Sequence, residues 1–265
     1  MDALTVYVDG IGFWAPGIPD WPSMLRVLDG GDFEMPETNT RPSPGILPPT
    51  ERRRAPEPVL LASEVAGQAC AMAAREPSTL ACVFTSTHGD LAITDAMCAT
   101  LAADPRELSP TRFHNSVHNA PAGYWTVAAH CHSSATAISA RHGSFAAGLL
   151  EAALEIHAEN ESVMLSAYDI AAQGPLAEIA PSELPFATAF VLSPTRTPAS
   201  LASLSLDLAQ AVSAADDVPA QFAPFLRNPM AAQALPLLVA LARKHSAAIT
   251  ISSGADTSLR VEVTP

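Results

Sequence analysis

With 265 residues, 48% of them hydrophobic and 15% charged, the chain can bury a full core, and its composition excludes a disordered polypeptide. One large domain or two small ones would fit. A formal net charge of −13 excludes a nucleic-acid partner, because a phosphate backbone needs a basic face to bind.

Residues 4–8 alternate β-formers and end at Asp9-Gly10, which predicts a strand closed by a turn. Residues 21–28 carry apolar side chains at helical spacing, with Asp20 as N-cap. Residues 35–58 form a proline-rich excursion, and residues 59–74 resume as a helix. A buried strand is expected at 80–84, followed by the loop Thr85-Ser86-Thr87-His88-Gly89. Helices at 91–103 and 119–129 follow, the first ended by Ser109-Pro110 and the second entered through Pro121. Residues 135–140 are β-like, 143–158 form the clearest helix, and 163–167 a buried strand. Strands are expected at 186–192 and 201–208, a helix at 230–244, and a terminal hairpin over 247–263 around Ser253-Gly254. Strands alternating with helices indicate an α/β layered fold. The 24 prolines, about twice the usual share of roughly 5%, cluster at 36–58, 181–198 and 219–236 and predict extended loops there.

Cys70, Cys82, Cys98 and Cys131 include no CxxC pair, and three of them sit in apolar or helical stretches, as buried free thiols do. A reducing cytoplasm is the expected compartment. The first ten residues lack the pattern of a signal peptide, and no apolar run approaches the roughly 20 residues of a membrane span.

Arg52-Arg53-Arg54 is the one basic cluster. It fits an acidic carrier protein or a substrate phosphate, and equally salt bridges or a solvated helix start. His114 and His118 stand at i, i+4, and His130-Cys131-His132 adds potential ligands. HNSVH lacks the glutamate of an HExxH site, and Pro121 starts its helix only after His118, so no metal is assigned. Ser86 and His88 are too close along one loop for a nucleophile–base pair, and no GxSxG elbow is present.

Five segments, in order, resemble the N-terminal half of a β-ketoacyl synthase: VYVDGIGFWAPG, WPSMLRVLDGG, LACVFTSTHGD, SPTRFHNSVHNAPAGYWTVA and TAISARHGSFAAGLLEAALEI. They are similar to the opening strand and glycine turn, the first helix, the second core strand, the dimer-interface helix, and the strand, turn and helix presenting the catalytic cysteine. The resemblance implies a thiolase-like (condensing-enzyme) layered fold. Residues 1–193 would form the ketosynthase-like N-terminal half, and 194–265 an abbreviated C-terminal portion completing the same domain. The nearest subfamily is the chain length factors of aryl polyene and xanthomonadin-type pathways.

The resemblance places His142 at the nucleophile position, or Arg141 or Gly143 if the alignment shifts. No cysteine lies within ten residues, and imidazole cannot carry the acyl thioester that condensation requires. The family's two catalytic histidines come from its C-terminal half. After residue 157 only His245 remains, near the basic end of an expected helix. What the resemblance implies is therefore a non-catalytic subunit, without cofactor, pairing with a catalytic β-ketoacyl-ACP synthase and meeting acyl carrier protein through that complex. Phe113, His114, Asn115, His118, Asn119, Tyr124 and Trp125 would then face the partner or the acyl tunnel, with core packing the competing role for the two aromatics. Alternatives are a divergent acyl decarboxylase or hydrolase using His142 or His88, and a free-standing acyl or carrier-protein binding module. The acidic surface counts against the last, because carrier proteins are acidic too.

Overall fold

Strand β1 (Leu4–Trp14) runs through the middle of an eight-stranded sheet, in a computed structural model that describes residues 4–37, 40–178, 180, 182–210 and 218–265. Asp9-Gly10 does not turn the chain. The strand takes a register shift between Val8 and Gly10 and continues, and the reversal comes at Ala15–Ile18, which bond to each other. Asp9, 4% exposed, accepts from Ser200 Oγ at 2.7 Å, which makes a buried carboxylate tolerable inside a strand.

Helix α1 (Trp21–Leu28) is capped as expected, with the Ser23 amide donating to Asp20 Oδ1 at 2.8 Å. The proline-rich segment holds a short helix, α2 (Pro49–Arg54), and leads into α3 (Glu57–Met72). Gly10 and Gly12 let β1 lie directly on α3, since a Cβ on either would run into the carbonyls of Ala69 or Val65. Strand β2 (Ala81–Thr85) and helix α4 (Leu91–Ala103) come next. Ser109-Pro110 starts a helix instead of only ending one. The Arg112 amide donates to Ser109 Oγ, and Pro110 opens α5 (Pro110–Asn115), where its missing N–H costs nothing.

Helix α6 (Ala120–Ala129) leads to strand β3 (Ala135–Ile138), helix α7 (Ser144–Glu159) and strands β4 (Val163–Asp169) and β5 (Phe186–Ser193). Every residue of β4 and β5 is buried, which explains why their sequences are near-continuous apolar runs rather than alternating ones. Pro181, at the head of the second proline cluster, lies outside the described residues.

The remainder adds strand β6 (Ala202–Gln210), helix α8 (Pro229–Arg243) and the hairpin β7 (Ala247–Ser252) and β8 (Thr257–Thr264). Residues 220–227, expected as proline loop, form a 3-10 stretch instead. Its Phe222 and Phe225, three residues apart and so on one side, are fully buried.

The strand order is β3-β2-β4-β5-β1-β6-β8-β7. β2 runs parallel to β3 and β4, and every other pairing is antiparallel. One face buries Leu61, Val65, Phe84, Trp125 and Tyr168 under α3 and α6. The other buries Phe13, Phe145, Leu149, Phe190 and Leu237 under α1, α7 and α8. β3 and β7 are the two edges of the sheet.

Candidate functional site

The parallel strands β2, β3 and β4 end side by side, so the loop after β2, the turn after β3 and the last residue of β4 converge at the start of α7. Crevices beyond the carboxyl ends of parallel strands are where α/β folds place their chemistry. Here the β3–α7 turn is Arg141–Gly143, a 3-10 turn, with Arg141 at φ 54°. Left-handed backbone at a large side chain is strained, and the surroundings hold it. Ser144 Oγ donates to Arg141 O at 2.6 Å and accepts from the Ala140 amide at 3.0 Å. Thr85 Oγ1 donates to Ser144 O at 2.8 Å.

In a condensing enzyme the free amides of such a helix start favour a thiolate. In this chain the helix start is packed against, although the turn side chains before it are not. The Ala146 amide points to Gln233 Oε1 of α8 at 3.4 Å. A Cβ on Gly143 would meet the Ser253 carbonyl at 2.6 Å, so the turn of the terminal hairpin sits against the helix start. Arg141 and His142 are both exposed. No thiol lies in the turn, and burial pushes the thiols of Cys70 and Cys82 up to about 12, far from any nucleophilic role. Cys131 is also buried and Cys98 exposed, and all four are free.

Beneath the turn lies a buried polar node. Asp169, 3% exposed, accepts at Oδ1 from Ser86 Oγ and from the Thr87 amide, each at 2.8 Å. Its Oδ2 has no partner, nor does the Tyr168 hydroxyl beside it. Burial raises the Asp169 pKa, and the bonds from Thr87 and Ser86 only partly oppose it. Asn228, fully buried, caps α8 by accepting from the Met230 and Ala231 amides at 2.9 and 3.1 Å. Its amide donates to Leu184 O at 2.8 Å, to Ser182 Oγ at 3.1 Å and, more weakly, to Asp169 O at 3.4 Å. Ser86 gives its proton to Asp169, so it forms no pair with His88. The His88 Nε2 is buried without a partner, and burial, then the nearby His142 and Arg141, lower its pKa.

The residues expected at an interface divide four ways. Trp125 is 1% exposed in the core under α6, so it packs inward, the core role that the sequence set beside an interface role. Asn115 is buried and accepts from the Tyr124 hydroxyl at 3.2 Å, while His118 Nε2 lies 3.3 Å from Ser86 O, so both are internal ties. His114, Asn119 and half-buried Tyr124 line a largely apolar pocket of about 580 Å³ with Leu47, Val117 and Val127. Phe113 stands 62% exposed on α5. α5 ends before His118, so the two histidines of HNSVH share no helix. Among the described residues no three His, Cys, Asp or Glu side chains gather as a metal site.

Sequence reading missed Asp169, Asn228 and Val127. The first had a signal, a carboxylate ending a run of buried β-formers. The second was visible as Asn before Pro229, a cap followed by a helix-starting proline. Val127, 77% exposed, is apolar on a face that no described residue covers.

The family described as beta-ketoacyl synthase, N-terminal domain, matches residues 30–256. The chain belongs to this family. Its fold is the thiolase-like fold of condensing enzymes. A ketosynthase (ApeO) in complex with its chain length factor (ApeC) from Xenorhabdus doucetiae superposes with TM-score 0.73 at 22% identity, over 97% of this chain and 99% of that one. A type II polyketide synthase acyl-carrier protein in complex with its ketosynthase (AntDE:AntF) gives 0.75 at 12%, over 100% and 99%. A β-ketoacyl synthase from Burkholderia phymatum STM815 gives 0.59 at 12%, over 91% of this chain but 71% of that one. No curated protein matches the sequence. No described helix is long and apolar enough to cross a membrane.

Asp169 generates a pH prediction. Its folded pKa lies above the unfolded carboxylate value, so its contribution to stability is present at low pH and lost as pH rises through the folded pKa. The stability of Asp169→Asn relative to wild type, from urea unfolding at a series of pH values, should therefore improve from acid toward neutrality. A difference that stays flat would mean that Asp169 titrates normally.

Proposed function

We propose that this member of the β-ketoacyl synthase family is a non-catalytic subunit, a chain length factor that pairs with a catalytic β-ketoacyl-ACP synthase and bounds its acyl tunnel. The observation that carries the reading is the contrast between two regions. The helix start where the family keeps its cysteine has no thiol and is packed against Ser253, while the α6 face beside edge strand β3 is apolar and uncovered.

Physical chemistry supports that assignment. β3 has a strand on one side only, so its outer backbone groups are free to pair with another chain. It is four residues long, and α6 lies beside it, presenting Val127 and the mouth of the pocket. A paired subunit would cover the strand edge and the apolar face together, as obligate interfaces do. Coverage agrees. The chain aligns end to end with chains from the ApeO–ApeC and AntDE:AntF assemblies, and with only part of the Burkholderia synthase.

In this reading Tyr124 and its neighbours form a floor. An acyl chain growing in the partner meets a wall whose overpacking costs about 1–3 kcal/mol, enough to stop extension within a methylene or two. Arg141 and His142 occupy the retired nucleophile turn.

A second reading, decarboxylation or hydrolysis of an acyl group by His142 or His88, draws on the unpartnered Nε2 of His88. A neutral imidazole beside an exposed second histidine is chemically able to move a proton.

Three experiments separate the readings. Co-expression with the neighbouring ketosynthase should give a one-to-one complex on sizing columns, and Val127→Asp should dissociate it while shifting the subunit's own stability by less than about 0.5 kcal/mol. A chain that elutes alone with wild-type Val127 sinks the pairing. In the reconstituted complex, Tyr124→Ala should lengthen the products seen by mass spectrometry, and unchanged lengths would remove the floor role. The isolated chain should release no carbon dioxide from malonyl-carrier protein. Release that His142→Ala abolishes would instead establish the enzymatic reading.

A further inference from the structure

A second pocket lies along α3. Pro44 and Ile46 of the proline-rich segment, Pro77 beyond the helix, and Ser63, Gly67 and Cys70 of α3 itself line a space of about 470 Å³. That volume falls within the roughly 300–1,000 Å³ of small-molecule sites. The proline-rich side is tied down, since Arg52 Nη1 reaches the Ser43 and Pro44 carbonyls at 3.4 Å. No residue of this pocket lines the one at α6.

Two of its residues serve no purpose inside the chain. Gly67 stands in the interior of a 16-residue helix, where glycine is unfavourable relative to alanine. At Gly10 and Gly12 close neighbours exclude a Cβ, but at Gly67 a Cβ would meet nothing within 4 Å. Internal packing therefore does not require this glycine, and its effect is to keep the pocket open. Ser63 is fully buried, and its hydroxyl finds no hydrogen-bond partner among the described residues. A serine inside a helix can donate to the carbonyl four residues earlier, and a buried donor without an acceptor is costly. An acceptor oxygen on a bound molecule would satisfy it.

The charges at the pocket are already engaged within the chain. Glu64 Oε1 accepts from Gln68 Nε2 at 3.1 Å, and Arg75 Nη2 lies 3.9 Å from Asp9 Oδ2. No charge is left over to recognise an ion. The Cys70 thiol, pushed up to about 12 by burial, stays protonated and forms no covalent bond. We propose that this pocket binds a small neutral apolar molecule with one acceptor oxygen, such as a medium-chain ketone or ester, whose oxygen accepts from the Ser63 hydroxyl while its carbon body lies against Gly67, Ile46 and Pro44. The inference stands apart from the pairing reading, since it concerns a different face of the chain.

The test titrates the full chain with 2-heptanone and, separately, with heptanoate, followed by saturation-transfer NMR. Wild type should bind the ketone saturably. Gly67→Leu, which fills the pocket, should abolish that binding, and Ser63→Ala should weaken it about threefold to tenfold. Heptanoate should bind more weakly than the ketone, because a carboxylate loses its water without gaining a free cation. Thermal unfolding without ligand serves as the control. Both variants should melt at or above wild type, since one removes a helical glycine and the other an orphan hydroxyl. Should Gly67→Leu unfold instead, Ser63→Ala, which deletes a single atom, decides the matter. Absence of saturable binding by wild type overturns the proposal, as does ketone binding that a folded Gly67→Leu or Ser63→Ala leaves unchanged. Tighter binding of heptanoate overturns it too, because the pocket would then read charge.

Discussion

A carboxyl group cut off from water sets the conditions for the centre of this molecule. Asp169 ends β4, receives the Ser86 hydroxyl and the Thr87 amide from the loop after β2, and lies against the start of α8 through Asn228. An uncompensated buried charge is costly, so these donors are not interchangeable decoration. They fix where the β2 loop leaves the sheet, while Asn228, which caps α8, reaches the main-chain carbonyl of Asp169. α8 in turn carries Gln233 to the start of α7. The start of α7 is thus supported by α8, whose capping residue touches the end of β4.

Much of the fold was legible because its signals are local. The Asp20 cap, the bounds of α4 and the apolar face of α7 follow from spacing within one helix. What was not legible depended on the opposite side of a contact. Asp9-Gly10 has turn chemistry, yet the glycine is there because α3 lies on top of it, and the aspartate because Ser200 reaches it. Phe222 and Phe225 stood among prolines, so only burial in the core under α1, α7 and α8 reveals them as structured. Ser109-Pro110 shows the same ambiguity, since the dipeptide that ends one helix also caps and opens the next.

The candidate site was half legible for a related reason. An absent cysteine can be read from the sequence directly. The outward faces of α5 and α6 cannot, because an aromatic pair such as Tyr124-Trp125 must point two ways on a helix. The structure sends Trp125 into the core and Tyr124 to the pocket, and the exposed apolar residue proves to be Val127, three positions after Tyr124. Residues three apart share a face, so Tyr124 marked the correct side of α6.

The buried polar node and the α6 face are joined by short polar contacts. Ser86, held by Asp169, offers its carbonyl to His118 at 3.3 Å. Three residues earlier Asn115, buried, accepts the Tyr124 hydroxyl that borders the pocket. The segment between α5 and α6 is therefore pinned from the inside by the loop after β2. The hydrogen bonds of the buried node thus reach as far as the surface that α6 presents. These polar residues therefore have a structural reason to be there, since they tie the loop after β2 to the segment that carries the α6 face.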